Sequence, residues 1–180
     1  GNTDFEDRHF KYLQGVYGLN MEECNQEEIT DKAFQYLRGV RELNMCGCNQ
    51  AEITDKAFEY LKGIKKLNMA SCNQEEITDE AFKNLEGIEI LNISGCDQET
   101  ITNQAFKYFT SGKKKIKELD MGFCEQKTIT DEALKYLQGI ESLNLEFCHQ
   151  ITNQGLKYLK GIKSLNIREC NQITELKYLQ

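Results

Sequence analysis

Hydrophobic and polar residues alternate in a short segment that recurs along the whole chain. The segment reads Leu-Asn-Met, Leu-Asn-Ile, Leu-Asn-Leu or Leu-Asp-Met, and its leucines stand at positions 19, 43, 67, 91, 119, 143 and 165. Alternation with a period of two places successive side chains on opposite faces of a strand. Each copy therefore predicts a β-strand whose leucine, and the residue two positions later, point into a core.

A cysteine follows each strand at a fixed distance, and a glutamine stands two residues after each cysteine. These column cysteines are Cys24, Cys48, Cys72, Cys96, Cys124, Cys148 and Cys170, at steps of 24, 24, 24, 28, 24 and 22 residues. A fixed period of this length is the signature of a repeat architecture. The chain is therefore predicted to be a single domain, residues 1–180, of about seven repeats.

Each repeat also carries a helical signal between one strand and the next. Ile-Thr-Asp or Ile-Thr-Asn precedes a segment such as residues 57–64, in which Ala, Phe and Leu recur at helical spacing. Thr and Asp favour the N-cap, and the glycine near the end suits a left-handed C-terminal cap. A helix of about eight residues is too short to be stable alone, so neighbouring repeats must stabilise it by stacking.

Stacking would align equivalent apolar residues in columns, such as Leu43, Leu67 and Leu91, or Phe34, Phe58 and Phe82. The predicted fold class is therefore α/β, a solenoid whose strands form one parallel sheet. The longest repeat inserts residues 110–115, whose lysines predict a solvated helix end or, as the alternative, a basic docking patch.

The pattern Leu-x-Leu-x-x-Cys, followed by Ile-Thr-Asp-x-Ala/Gly-Phe/Leu, resembles the cysteine-containing subfamily of leucine-rich repeat proteins over residues 5–179. The resemblance implies a curved, right-handed horseshoe with the parallel β-sheet on the concave face and short helices on the convex face. Many members are substrate receptors of ubiquitin ligases and carry an F-box before the repeats. An F-box normally opens with a Leu-Pro pair, and this chain contains no proline.

Composition narrows the classes of partner. The net charge is −7, whereas nucleic acid binding needs a basic stripe, so nucleic acid is not a predicted partner. No apolar run approaches the roughly 18 residues of a membrane-spanning helix, so no membrane association is predicted. The chain is expected to be cytoplasmic or nuclear rather than secreted.

The column cysteines are interpreted as structural, because a buried thiol at a bend acts as a small hydrophobe with a weak donor. Their spacing lacks the clustered ligands of zinc sites, so no metal or cofactor is predicted. Disulfides between repeats are the alternative, and they would require an oxidising compartment. Cys46 lies outside the column and is predicted to be a tolerated surface cysteine, with a reactive thiol as the alternative.

No catalytic arrangement is visible, so the chain is not predicted to be an enzyme. Neither a nucleophile with a base, a carboxylate pair nor a phosphate-binding loop recurs in a usable form. His9 stands in a terminal repeat, and His149 lies in a turn where exposure is expected. The mid-strand asparagines, interrupted by Asp120, are predicted to hydrogen-bond from repeat to repeat, or alternatively to present polar groups to a ligand.

The concave face and the adjoining turns form the predicted binding surface. Ile90, Phe123 and Phe147 stand at outward positions, where large apolar groups indicate a contact hot spot. The alternative is that the two phenylalanines cover the bend after the strand. The candidate partner-binding residues are Glu42, Asn44, Lys66, Asn68, Ser71, Ile90, Asn92, Ser94, Asp120, Phe123, Asn144, Glu146, Phe147 and Arg168.

These observations favour a scaffold or adaptor that binds a protein partner and has no catalytic activity. One alternative is a structural or self-assembling protein that stacks through uncapped ends. The other is the substrate-recognition fragment of a ubiquitin-ligase receptor. The chain is expected to be a monomer or to associate weakly end to end.

Overall fold

The computed structural model of the protein describes residues 5–110 and 115–179. Within these ranges, seven strands of three residues each form one parallel sheet in the order of the sequence. They are β1 (Gly18–Asn20), β2 (Glu42–Asn44), β3 (Lys66–Asn68), β4 (Ile90–Asn92), β5 (Glu118–Asp120), β6 (Ser142–Asn144) and β7 (Ser164–Asn166). The register pairs equivalent residues, so Leu43 lies opposite both Leu19 and Leu67. The predicted α/β solenoid is confirmed.

Short helices connect the strands and change from α to 3₁₀ geometry along their length. The α-helical parts are α1 (Asp31–Phe34), α2 (Asp55–Phe58), α3 (Asp79–Phe82), α4 (Asp131–Leu134) and α5 (Asn153–Leu156). Each continues as a 3₁₀ helix, at Gln35–Leu37, Glu59–Leu61, Lys83–Leu85, Lys135–Leu137 and Lys157–Leu159. Asp7–Leu13, Asn103–Phe109 and Lys177–Leu179 are 3₁₀ helices throughout.

The predicted short helix is therefore present at about the predicted length, since Asp31–Phe34 (4 residues) continues directly as Gln35–Leu37 (3 residues), but its second part is 3₁₀. A 3₁₀ helix rises about 2.0 Å per residue rather than 1.5 Å, so it spans the repeat with fewer residues. The glycine at its end has the predicted positive φ but is not a helix cap. Gly39, with φ +88°, is the third residue of a type II turn closed by the Val40 N–H donating to the Leu37 carbonyl at 3.0 Å.

The threonine of each Ile-Thr-Asp motif caps a helix, as predicted, and also joins two repeats. The Thr54 hydroxyl accepts from the Lys56 N–H at 3.2 Å. The Thr54 N–H and hydroxyl donate to the two carboxylate oxygens of Asp31, one repeat earlier, at 2.7 and 2.8 Å. This threonine clamp recurs in the pairs Asp7–Thr30, Asp55–Thr78, Asp79–Thr102 and Asp131–Thr152. Asparagine replaces aspartate in Asn103–Thr130 and Asn153–Thr174.

The core runs continuously between the sheet and the helices. The predicted columns are confirmed, since Phe34, Phe58 and Phe82 are fully enclosed and Leu43 and Leu67 are buried. Removing a Phe side chain from such a core typically costs about 3–5 kcal/mol. No single repeat could enclose these side chains, so each repeat can fold only together with the neighbours that stack on it.

The column cysteines lie in this core, as predicted, and link successive repeats. Cys48 and the later members are buried, Cys24 is half-buried, and all are free thiols. The Cys72 Sγ–H donates to the Met45 carbonyl of the preceding repeat at 3.0 Å, and the other buried members make the equivalent bond. Burial raises the pKa of the Cys48 thiol to about 11. The thiols therefore act as weak donors inside the core.

Two sequence predictions concern chain segments away from this core. Within the described ranges, no helix has the length and apolar content to cross a bilayer. Lys113 and Lys114, which suggested a solvated helix end or a basic patch, lie outside the described residues.

Candidate binding surface

The first and third residues of the seven strands form one polar surface, termed the open sheet face. The leucine between them is buried in β2 to β6. Shallow grooves cross this face over β1 to β4 and over β4 to β7. The candidate residues that it brings together are Glu42, Asn44, Lys66, Asn68, Ile90, Asn92, Asp120 and Asn144. The other candidates lie in the turns that follow the strands, with Ser94, Glu146 and Arg168 at the second turn position.

The predicted amide ladder along the strands forms at one step only among the described residues. Each strand-end asparagine or aspartate accepts the backbone N–H two residues later, as when Asn68 Oδ1 accepts from Ala70 at 3.1 Å. This local bond forms in place of a bond to the neighbouring asparagine because the turn N–H would otherwise lack a partner. One direct link between strand ends is described, from Asn144 Nδ2 to Asp120 Oδ1 at 2.8 Å.

A ladder between repeats does exist, but one turn further along the chain. The Asn73 N–H donates to Asn49 Oδ1 at 2.8 Å, and the Asp97 N–H donates to Asn73 Oδ1 at 2.8 Å. Asn25 and Asp97 continue it at either end. The signal that was missed is the Asn directly after the column cysteine in several copies.

Most charged candidates pair with one another across repeats. Lys66 Nζ lies 3.0 Å from a Glu42 carboxylate oxygen, and Arg168 lies 3.5 Å from Glu146. Glu146 also accepts from Asn166 Nδ2 at 3.2 Å. Asp120 accepts from the Gly122 N–H as well as from Asn144. The open sheet face is therefore polar, but most of the charged candidate side chains already have hydrogen-bond or ion-pair partners within the protein.

The residue before each column cysteine adopts a left-handed backbone. This row, termed the turn edge, consists of Glu23, Gly47, Ser71, Gly95, Phe123, Phe147 and Glu169, with φ between +54° and +68°. Each of these residues is the third residue of a turn within its own repeat, as when the Cys124 N–H donates to the Met121 carbonyl at 3.3 Å. A bond to the next repeat accompanies the turn, as when the Phe123 N–H donates to the Glu146 carbonyl at 2.7 Å. Left-handed geometry is uncommon for residues other than glycine and is an outlier for a bulky side chain. The sequence gives no hint of it at Phe, Ser or Glu.

Two of these strained positions carry stacked aromatic rings at the surface. Phe123 and Phe147 have ring centroids 4.8 Å apart and planes inclined by 23°. His149 meets the Phe147 ring edge-on at 6.1 Å. Phe123 remains 48% exposed, while Phe147 is half-buried. These three residues, termed the aromatic step, cover the bend only in part, because the first ring still faces solvent.

Residues 5–110 and 115–179 contain no cluster of His, Cys, Asp or Glu arranged to hold an ion. Cys46 is half-exposed. Partial burial, Glu22 and Glu23 all raise the pKa of its thiol, which disfavours the reactive thiolate.

The sequence also matches a family model described as BspA type leucine rich repeat region. Six copies match, within residues 3–117 and 27–163. The chain belongs to this family of leucine-rich repeat proteins. No curated protein is significantly similar to it in sequence.

Solved structures resemble this leucine-rich repeat chain in fold. Internalin C2 of Listeria monocytogenes has a TM-score of 0.67 and 21% identity, over 94% of this chain and 69% of its own. Internalin InlF of the same organism has a TM-score of 0.67 and 20% identity, over 94% of this chain and 46% of its own. TLR13, in complex with ssRNA13, has a TM-score of 0.68 and 20% identity, over 91% of this chain. The chain spans 23% of TLR13.

Proposed function

We propose that this leucine-rich repeat chain is a non-enzymatic protein-binding module, acting as a scaffold or adaptor. Its contact surface would combine the aromatic step with the open sheet face. The observation that carries the proposal is the stacked pair Phe123 and Phe147, held at the surface on left-handed backbone. Aromatic side chains are enriched at protein interfaces and dominate their energetics.

The size of the sheet also favours use of the turn edge. Seven strands about 4.8 Å apart, each of three residues with a rise of about 3.3 Å per residue, offer only about 330 Å². A standard protein partner covers about 800 Å² on each side. A partner on the sheet must therefore extend onto the adjoining turns, and on the turn edge Phe123 is the large apolar side chain with the most exposed surface.

A protein is the preferred class of partner over RNA. The TLR13 structure that resembles this fold is a complex with ssRNA13. A net charge of −7 opposes the phosphate contacts on which RNA binding depends. A cytoplasmic or nuclear location, weak end-to-end association and a role as a fragment of a ubiquitin-ligase receptor remain predictions.

The proposal is tested by comparing partner recovery for paired variants. Phe123→Ser combined with Phe147→Ser removes the aromatic step, and Tyr12→Ser removes a 76% exposed ring outside it. We expect affinity capture with quantitative mass spectrometry to show at least a tenfold loss of specific partners for the double variant only. Unchanged recovery would remove this surface from the proposal. Light scattering on the same samples measures the predicted end-to-end association.

A further inference from the structure

We propose that the partner binds the aromatic step through a basic segment that lays an arginine or lysine side chain on the open ring face of Phe123. This inference rests on the proposed protein-binding function and specifies the chemistry of the partner.

The ring of Phe123 has one covered face and one free face. Phe147 stacks on the first at a centroid distance of 4.8 Å. The equivalent turn-edge residue of the preceding repeat is Gly95, which has no side chain to cover the second, and Phe123 remains 48% exposed. The next residue along the row is Ser71, whose Oγ lies 3.2 Å from the ideal Cβ position of Gly95. Small residues therefore form a flat shelf beside the ring.

Two carboxylates flank this shelf. His149 meets the edge of Phe147 from two residues further along the chain. Glu125 stands at the equivalent sequence position after Phe123, and its N–H donates to Asp97 Oδ1 at 3.1 Å. Both side chains are exposed, and neither forms an ion pair with any described residue, unlike Glu42 and Glu146. The edge of the shelf thus carries two carboxylates that form no ion pair with a cationic side chain in residues 5–110 and 115–179.

A cationic side chain can interact with both the open ring face of Phe123 and the carboxylates of Asp97 and Glu125. A guanidinium or ammonium group is attracted to the face of an aromatic ring, and guanidinium also donates in-plane hydrogen bonds to carboxylates. An anionic or purely apolar segment would instead desolvate Asp97 and Glu125 without a partner. The net charge of −7 favours the approach of a basic segment over longer distances.

The test uses a defined probe, the capped peptide Gly-Gly-Arg-Gly-Arg-Gly-Gly, and the same peptide with uncharged citrulline for arginine. Two-dimensional NMR titration of the whole chain is expected to show saturable shifts at the Phe123 ring and at residues 94–97 and 122–125. Affinity should fall at least about fivefold with citrulline, with Phe123→Leu, or with Asp97→Asn plus Glu125→Gln. Glu75→Gln plus Glu76→Gln, with the same change in net charge, should leave it unchanged.

Equal binding of the citrulline peptide would overturn the inference, as would shifts spread over all acidic residues or equal losses in both charge variants. Failure of this inference can be distinguished from failure of the proposed protein-binding function. If the Phe123→Ser and Phe147→Ser chain loses its captured partners while Asp97→Asn plus Glu125→Gln keeps them, protein binding stands and cation recognition falls.

Discussion

At the scale of single residues, the turn edge combines a backbone conformation that favours glycine with side chains that are exposed at the surface. The backbone there is left-handed in every repeat, and Gly47 and Gly95 meet that requirement without a steric cost. A residue with a Cβ in this region costs roughly 1–2 kcal/mol. Phe123 and Phe147 therefore occupy positions where folding alone would favour glycine. Strain of this kind is concentrated at functional sites.

The buried thiols lead to a prediction about alkaline pH. Burial raises the pKa of Cys48 to about 11 and that of Cys148 to about 12, from an ordinary value near 9. Above pH 9 the unfolded chain releases these protons while the folded chain keeps them. Their stabilising contribution is therefore complete below pH 9 and is lost as the pH rises through the folded values of about 11 and 12.

Urea unfolding measured between pH 8.5 and 10.5 checks this prediction. The free energy of unfolding should fall with pH, and it should fall less steeply in Cys148→Ala, by up to about 1.4 kcal/mol per pH unit. The comparison with the parent chain cancels the titration of lysines and tyrosines common to both. Identical slopes in the two chains would show that Cys148 ionises alike when folded and unfolded.

At the scale of elements, the threonine clamp joins each helix start to the next. Both carboxylate oxygens of Asp55 accept hydrogen bonds from Thr78, at 2.8 Å from its N–H and 2.7 Å from its hydroxyl. The pair Asn103 and Thr130 shows that asparagine can serve, with its amide donating to the hydroxyl at 3.0 Å. The clamp thus depends on two hydrogen bonds rather than on a negative charge.

The loss of stability caused by a substitution at Asp55 should therefore depend on whether the new side chain can hydrogen-bond to Thr78. We expect Asp55→Ala to lower the free energy of unfolding by about 1–3 kcal/mol, because the Thr78 donors lose their partner. Asp55→Asn should cost less than about 1 kcal/mol, since the amide reproduces both bonds. Chemical denaturation of the three chains measures this. Equal losses for Ala and Asn would mean that the carboxylate charge is what stabilises the pair.

The sequence predicted the elements well and the contacts between them less well. Leucine alternation and cysteine spacing fix the strand register, because every copy must bury the same face. The Thr-Asp motif was interpreted only as a helix cap, because its second partner lies 23 residues away in the neighbouring repeat. The strand asparagines predicted a ladder of side-chain hydrogen bonds between repeats, whereas their oxygens accept a turn N–H within the same repeat. The left-handed turn edge belongs to a turn closed by the column cysteine N–H, and only Gly47 and Gly95 signal it in the sequence.

At the scale of the whole molecule, the repeats form one body that offers a polar sheet face and an aromatic step at its edge. Cross-repeat bonds of the threonine clamp, the column cysteines and the turn asparagines run along the array. Such an array holds surface residues of different repeats in fixed relation. Phe123 and Phe147, 24 residues apart in sequence, can therefore act as one rigid contact.

Site-specific photo-crosslinking tests the proposed contact surface most directly. p-Benzoylphenylalanine would replace Phe123 in one chain and Tyr12, exposed on the helix Asp7–Leu13, in a control chain. Both would be irradiated with the partner that the parent chain captures. The account predicts a covalent adduct with the partner from position 123 and none from position 12. Crosslinking from position 12 alone, or equally from both positions, would contradict it.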